Sequence, residues 1–238
     1  MKFSVTIVFD NNCVIPEVKP EWGFACVIKT GNEMILFDTG NDGRILLDNL
    51  AKLHLDPYDL SKVVISHMHW DHVGGLPDLL QACPQSPVYL PASALEDDIR
   101  IIRRMCRAVI PVREAVEIAP DLYSTGELPG YAWEQSLIYK GNGELSIITG
   151  CAHPGIVNIV RRAQDMFPGL PVSLLLGGFH LHHTAPADIV TVYRELQAAG
   201  VKTIAPAHCT GEGAIEKCRD IFGDGFLTAG VGFNFMLT

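Results

Sequence analysis

His67-Met68-His69-Trp70-Asp71-His72 places three histidines and an aspartate within six residues. Imidazole nitrogen and carboxylate oxygen are the donors that zinc, iron and manganese accept at about 2.0–2.2 Å. In a tight loop, alternate residues can face one ion while their neighbours face a second. Gly74-Gly75 follows directly, which permits a close turn and lets a helix over Leu76–Cys83 start beside the metals. The β-branched stretch Lys62–Ile65 comes just before, so the histidine run lies at the carboxyl end of a strand.

The same arrangement recurs along the chain. Met34–Phe37 runs into Asp38-Thr39-Gly40, Leu145–Ala152 into His153, Val172–Phe179 into His180, and Lys202–Ala207 into His208. Layered α/β proteins hold their ligands in the crevice at the carboxyl ends of the strands. Five strands that each deliver an aspartate or a histidine to that edge predict one shared polar site. Asp71 and His180 are the candidate catalytic side chains. His182 and His183 read as solvent-facing loop residues, and His54 as structural.

Further strands are expected at Ser4–Phe9, Ala25–Lys29, Ser136–Tyr139 and Gly232–Leu237, with helices at Ile45–His54, Gly155–Met166, Pro186–Ala199 and Gly213–Phe222. Strands and helices so interleaved predict an α/β layered fold, and 238 residues suit a single domain, 1–238. Residues 91–133 read as a cap or lid insertion within it. A helix there would open on a capping box, Ser93 with Glu96, and the stretch after it is broken by Pro120, Gly126, Pro129 and Gly130. In that helix Arg100, Arg103, Arg104 and Arg107 would share one face. Arg104 and Arg107 lack an acidic partner within the helix and are the candidate contacts to an anionic substrate group.

A net charge of −9 disfavours nucleic acid and anionic membranes as partners, which leaves a small-molecule substrate held near metal cations. The apolar stretch after Lys2 is too short for a secretory signal, so a cytoplasmic location is expected. Seven cysteines without C-x-x-C spacing read as reduced thiols, though Cys151 and Cys209 each lie within two residues of a candidate ligand.

The histidine run, with Asp38-Thr39-Gly40 upstream, resembles the metallo-β-lactamase fold superfamily. That resemblance implies a four-layer αββα sandwich with metals at one edge of its two sheets. It implies that His67, His69 and His153 hold one metal, that Asp71, His72 and His208 hold the other, and that Asp38 orients a ligand imidazole. The cofactors implied are two divalent transition metals, zinc first, with iron or manganese also compatible. The stretches Thr149–Asn158, Gly177–Leu181 and Pro206–Gly211 resemble a narrower branch, that of the archaeal dihydropterin–(ribofuranosyl)aminobenzene phosphate synthases. The superfamily commonly bridges its metals with a strand-end aspartate, and Phe179-His180 stands in that region here. The expected activity is attack of a metal-bound hydroxide on a small ester, lactone or phosphate-containing substrate, with His180 assisting proton transfer. The alternatives are a pterin-type C–N bond-forming transfer and a non-catalytic metal-binding sensor.

Overall fold

A computed structural model of the chain describes residues 3–237. The alternation of apolar side chains decides how its strands are covered. In β1 (Phe3–Phe9), Phe3, Val5 and Ile7 face one side, and past a bulge Val8 and Phe9 face the other. β2 (Ala25–Thr30) and β3 (Glu33–Phe37) repeat the pattern, with Cys26, Ile28, Ile35 and Phe37 on one face and Ala25, Val27, Met34 and Leu36 on the other. Strands apolar on both faces have to be covered on both sides.

Among the described residues, the first sheet also contains β4 (Lys62–Val64), β5 (Val88–Pro91), β6 (Val109–Val112) and β13 (Asn234–Leu237), in the order β13-β1-β2-β3-β4-β5-β6. The second contains β7 (Val116–Ala119), β8 (Leu122–Ser124), β9 (Leu137–Gly141), β10 (Glu144–Thr149), β11 (Val172–Gly178) and β12 (Val201–Ala207), in the order β12-β11-β10-β9-β8-β7. Each sheet joins an antiparallel half to a parallel half. β3 to β6 run parallel in the first, and β10 to β12 in the second.

One core lies between the sheets, where Phe3, Ile28, Phe37 and Val64 meet Leu137, Ile148, Leu174 and Leu176. A second lies between the first sheet and helices α1 (Gly43–Lys52), α3 (Leu76–Ala82) and α4 (Glu96–Ile102), with the short α2 (Trp70–Val73) ahead of α3. A third lies between the second sheet and α5 (Ile156–Met166), α6 (Pro186–Ala198) and α7 (Glu212–Phe222). The result is the αββα sandwich. No helix among the described residues is long and apolar enough to cross a membrane.

Residues 91–133 depart from the cap insertion expected of them. β6 extends the first sheet, and β7 and β8 form the outer strands of the second, so most of the segment is woven into the two sheets. α4 departs from its expected form as well. Its N-cap is Leu95 without a side-chain bond, and the Ser93 N–H donates to Glu127 Oε2 at 2.8 Å, so no capping box forms. The helix ends at Ile102, and Arg103, Arg104 and Arg107 follow it as exposed residues outside the helix. The four arginines therefore do not share one helical face. Of the four, Arg100 pairs with Asp97 at 2.8 Å.

Candidate metal centre

The carboxyl ends of β3, β4, β10, β11 and β12 bring Asp38, His67, His153, His180 and His208 to one edge of the sandwich. The backbone there is strained. Asp38, Ala152, His180 and His208 all have φ between 49° and 61°, a region that residues bearing a Cβ seldom enter without a compensating function. The loop after β3 is docked onto the histidine run, since Thr39 donates both its N–H and its hydroxyl to His72 O at 2.8 Å. Gly74 and Gly75 have ordinary helical φ, so the turn does not need their conformational freedom. It needs their missing side chains: a Cβ on Gly74 would strike Asn41 O, and one on Gly75 would strike Thr39 O.

Two ligand sets form. The donor atoms of His67, His69 and His153 lie within 4.8 Å of one another, and so do those of Asp71, His72 and His208. Four of these imidazoles are held at Nδ1. His72 Nδ1–H donates to Asp38 Oδ2 at 2.7 Å, and His153 Nδ1–H to Glu134 Oε2 at 2.8 Å. His208 Nδ1–H donates to Asn11 Oδ1 at 3.1 Å. His67 Nδ1–H donates to Ser66 Oγ at 2.9 Å, and that hydroxyl donates onward to Asp38 Oδ2 at 2.6 Å. Asp38 thus orients one imidazole directly and a second through Ser66. Fixing Nδ1 in this way leaves each Nε2 lone pair facing the centre, as metal-binding histidines require. Nε2 of His67 and of His208 are buried and satisfied by no hydrogen bond, though His208 Nε2 lies 3.3 Å from Asp71 Oδ2.

The electrostatics follow from burial. Burial, and then the neighbouring His208, push His72 down to about 3, and burial with His72 nearby holds His67 well below its ordinary value. Both are therefore neutral at physiological pH, the form that coordinates metal. His208 departs from this pattern. Burial alone would lower it, but the Asp71 carboxylate close to its Nε2 and the nearby Cys209 and Asp10 carry it above its ordinary value. Burial alone would also raise Asp71, which the neighbouring His208 and His72 hold well below the carboxylate range. Burial pushes Asp38 up to about 7, against the pull of His67 and of the Ser66 donors.

Residues 23–97 match the Metallo-beta-lactamase superfamily. The crystal structure of Tm1679, a metal-dependent hydrolase of the beta-lactamase superfamily, superposes with a TM-score of 0.81 over 98% of both chains, at 24% identity. The family match therefore covers the stretch that holds Asp38, His67, His69, Asp71 and His72, and the fold is shared along the whole chain. A 7,8-dihydropterin-6-methyl-4-(beta-D-ribofuranosyl)-aminobenzene-5'-phosphate synthase of Methanocaldococcus jannaschii is 25% identical over 81% of this chain and 80% of its own. An uncharacterized protein of the same archaeon is 24% identical over 91% and 94%.

Around this site stand residues that no sequence motif marked. Glu134 is fully buried and accepts the N–H groups of Cys151, Ala152 and His153 as well as His153 Nδ1–H, all within 2.9 Å. Burial would raise its pKa, but the neighbouring His67 and the His153 bonds hold it well below the usual range. Asp10 accepts the His208 N–H at 2.9 Å, and Trp22 Nε1–H donates to Asp71 Oδ2 at 2.9 Å. A cavity of about 660 Å³ opens beside Trp22 and His208. His180 is exposed, its ring 4.5 Å from that of His153, and a hydrogen bond with Cys209 raises its pKa. The exposed Tyr131 lies 5.8 Å from the His153 ring and 6.5 Å from that of His180. His182 and His183 are exposed, as expected of loop residues.

Proposed function

We propose that the chain is a metal-dependent enzyme that hydrolyses a small ester, lactone or phosphate-containing substrate. The observation that supports this best is the set of imidazoles tied at Nδ1 with Nε2 turned to the centre, two of them with that nitrogen buried and unsatisfied. An unsatisfied buried donor or acceptor costs about 1–3 kcal/mol, so the arrangement is hard to account for without an ion. His67, His69 and His153 would hold one divalent cation, and Asp71, His72 and His208 the other. Such cations supply Lewis acidity, acidifying a water and polarising a carbonyl or phosphoryl oxygen.

The chain's own groups do the rest. Trp22 Nε1–H fixes Asp71 Oδ2, the oxygen that lies 3.3 Å from His208 Nε2 and 3.9 Å from His72 Nε2. His180, raised in pKa and open to solvent, is placed to pass a proton to a leaving group. The net charge of −9 supports a small-molecule substrate rather than a nucleic acid. Zinc fits the imidazole-rich donor set, and iron or manganese would also be accepted. The cysteines are all free, which suits a reducing compartment such as the cytoplasm.

A second reading is favoured by the synthase relative, which matches most of this chain. In it the same site would serve a pterin-type C–N bond-forming transfer. The test is metal analysis of protein purified without chelator, followed by assay on an ester, a lactone and a phosphodiester. Two metals per chain and turnover that disappears in His69→Ala are expected. Metal without turnover on any of the three would favour the transfer or a sensor, and no metal after supplemented expression would defeat the proposal.

A further inference from the structure

The strand-end position where the resemblance would put a bridging aspartate holds Phe179, which is buried, and His180, which is exposed. Another side chain reaches that space. Cys151 Sγ lies 3.2 Å from His72 Nε2, at the site end of β10. It groups within 4.8 Å with His67 and His72, one donor from each set. It also groups with His153 and His180, and with His208 and Cys209. No other residue belongs to three such groups among the described residues.

We propose that Cys151 is a metal ligand and that its thiolate joins the two halves of the centre. The inference rests on the metal-centre reading above and adds a ligand to it. The plainer account is a buried thiol whose S–H donates to His72 Nε2. That account satisfies His72 but leaves His67 Nε2, which is buried, without a partner. It also turns a weak donor toward the one lone pair of His72 that the Asp38 bond has freed. Coordination resolves both. The S–H bond breaks, its proton leaves to solvent, and the electron pair stays on sulfur as the ligand. Glu134 fits this role, because its carboxylate takes the Cys151 N–H at 2.8 Å and so fixes the backbone from which the sulfur projects. Cys209 lies behind, its Sγ 3.6 Å from Cys151 O, and is the rival sulfur because it groups with Cys151 and His208. A thiolate also biases the centre toward zinc or iron and away from manganese, since soft sulfur suits the former.

The test is cobalt substitution of the whole chain, read by metal content and by the near-ultraviolet thiolate-to-cobalt charge-transfer band. Two cobalt ions and a clear band are expected for the parent and for Cys209→Ser. Cys151→Ser should lose the band and at least one ion. A parent that binds two ions without the band would overturn the Cys151 assignment and leave the metal centre standing. A parent that binds no cobalt would overturn both. A band lost in Cys209→Ser and kept in Cys151→Ser would move the ligand to Cys209 and refute the proposal. If Cys151→Ser does not fold, X-ray absorption of the zinc-loaded parent decides: a sulfur shell at about 2.3 Å supports it, and a shell of nitrogen and oxygen alone ends it.

Discussion

Replacing Glu134 by Gln would turn an amide NH₂ toward N–H groups that now point at a carboxylate oxygen. At least one buried donor is then stranded, and stability is expected to fall by roughly 1–3 kcal/mol in denaturant titration. Metal affinity should fall too, because His153 loses the anchor that sets its tautomer. Asp38→Asn acts on the other set: its amide would face Ser66 or His72, so one of those donors goes unpaired. About a 10–100-fold loss of metal affinity is expected in chelator competition. Nitrogen-15 NMR should show His72 no longer held as the Nδ1–H tautomer. The two carboxylates differ in how plainly the sequence shows them. Asp38 sits in Asp-Thr-Gly at a strand end, where position and residue type together carry meaning. Glu134 stands alone in Trp-Glu-Gln, and only the fold reveals that three backbone N–H groups from a distant loop converge on it.

At the level of elements, the sequence shows most where burial demands a regular pattern. α5 and α6 were expected within a residue or two of their observed bounds, because each buries one stripe of apolar side chains against the second sheet. β5 to β8 escaped notice because they are three or four residues long and two contain proline, Pro91 and Pro111, which suits an edge or a strand end but hides the alternation. α4 was expected to run past Ile102 because the arginine spacing continues a helical period. In the structure the chain leaves the helix so that β6 can pair with β5. With the shared arginine face gone, Arg104→Ala with Arg107→Ala is expected to shift stability by no more than about 0.5 kcal/mol. The same double variant should leave KM for a phosphorylated test substrate unchanged. A raised KM with intact metal content would restore these arginines as anion contacts.

Across the whole molecule, the proposed ligands come from both sheets, so ions bound there would link the two halves of the sandwich. At 100 times the dissociation constant, a bound metal adds about 2.7 kcal/mol to folding stability. Stripping it should lower Tm by roughly 5–10 °C in a chain of this size, measured by calorimetry with and without chelator. A chelator that leaves Tm unchanged would argue against ions holding the two sheets together. The spacing of these ligands along the chain also bears on how the protein is made. Asn11, which orients His208, precedes it by 197 positions. A ribosome adding 5–20 residues per second needs roughly 10–40 s to cover that interval. The His67, His69 and His153 set is complete in sequence well before His208 emerges, so metal loading during synthesis would proceed in two stages. A nascent chain arrested after β11 should then retain one ion at most, and its Asp71 and His72 would wait for the last part of translation.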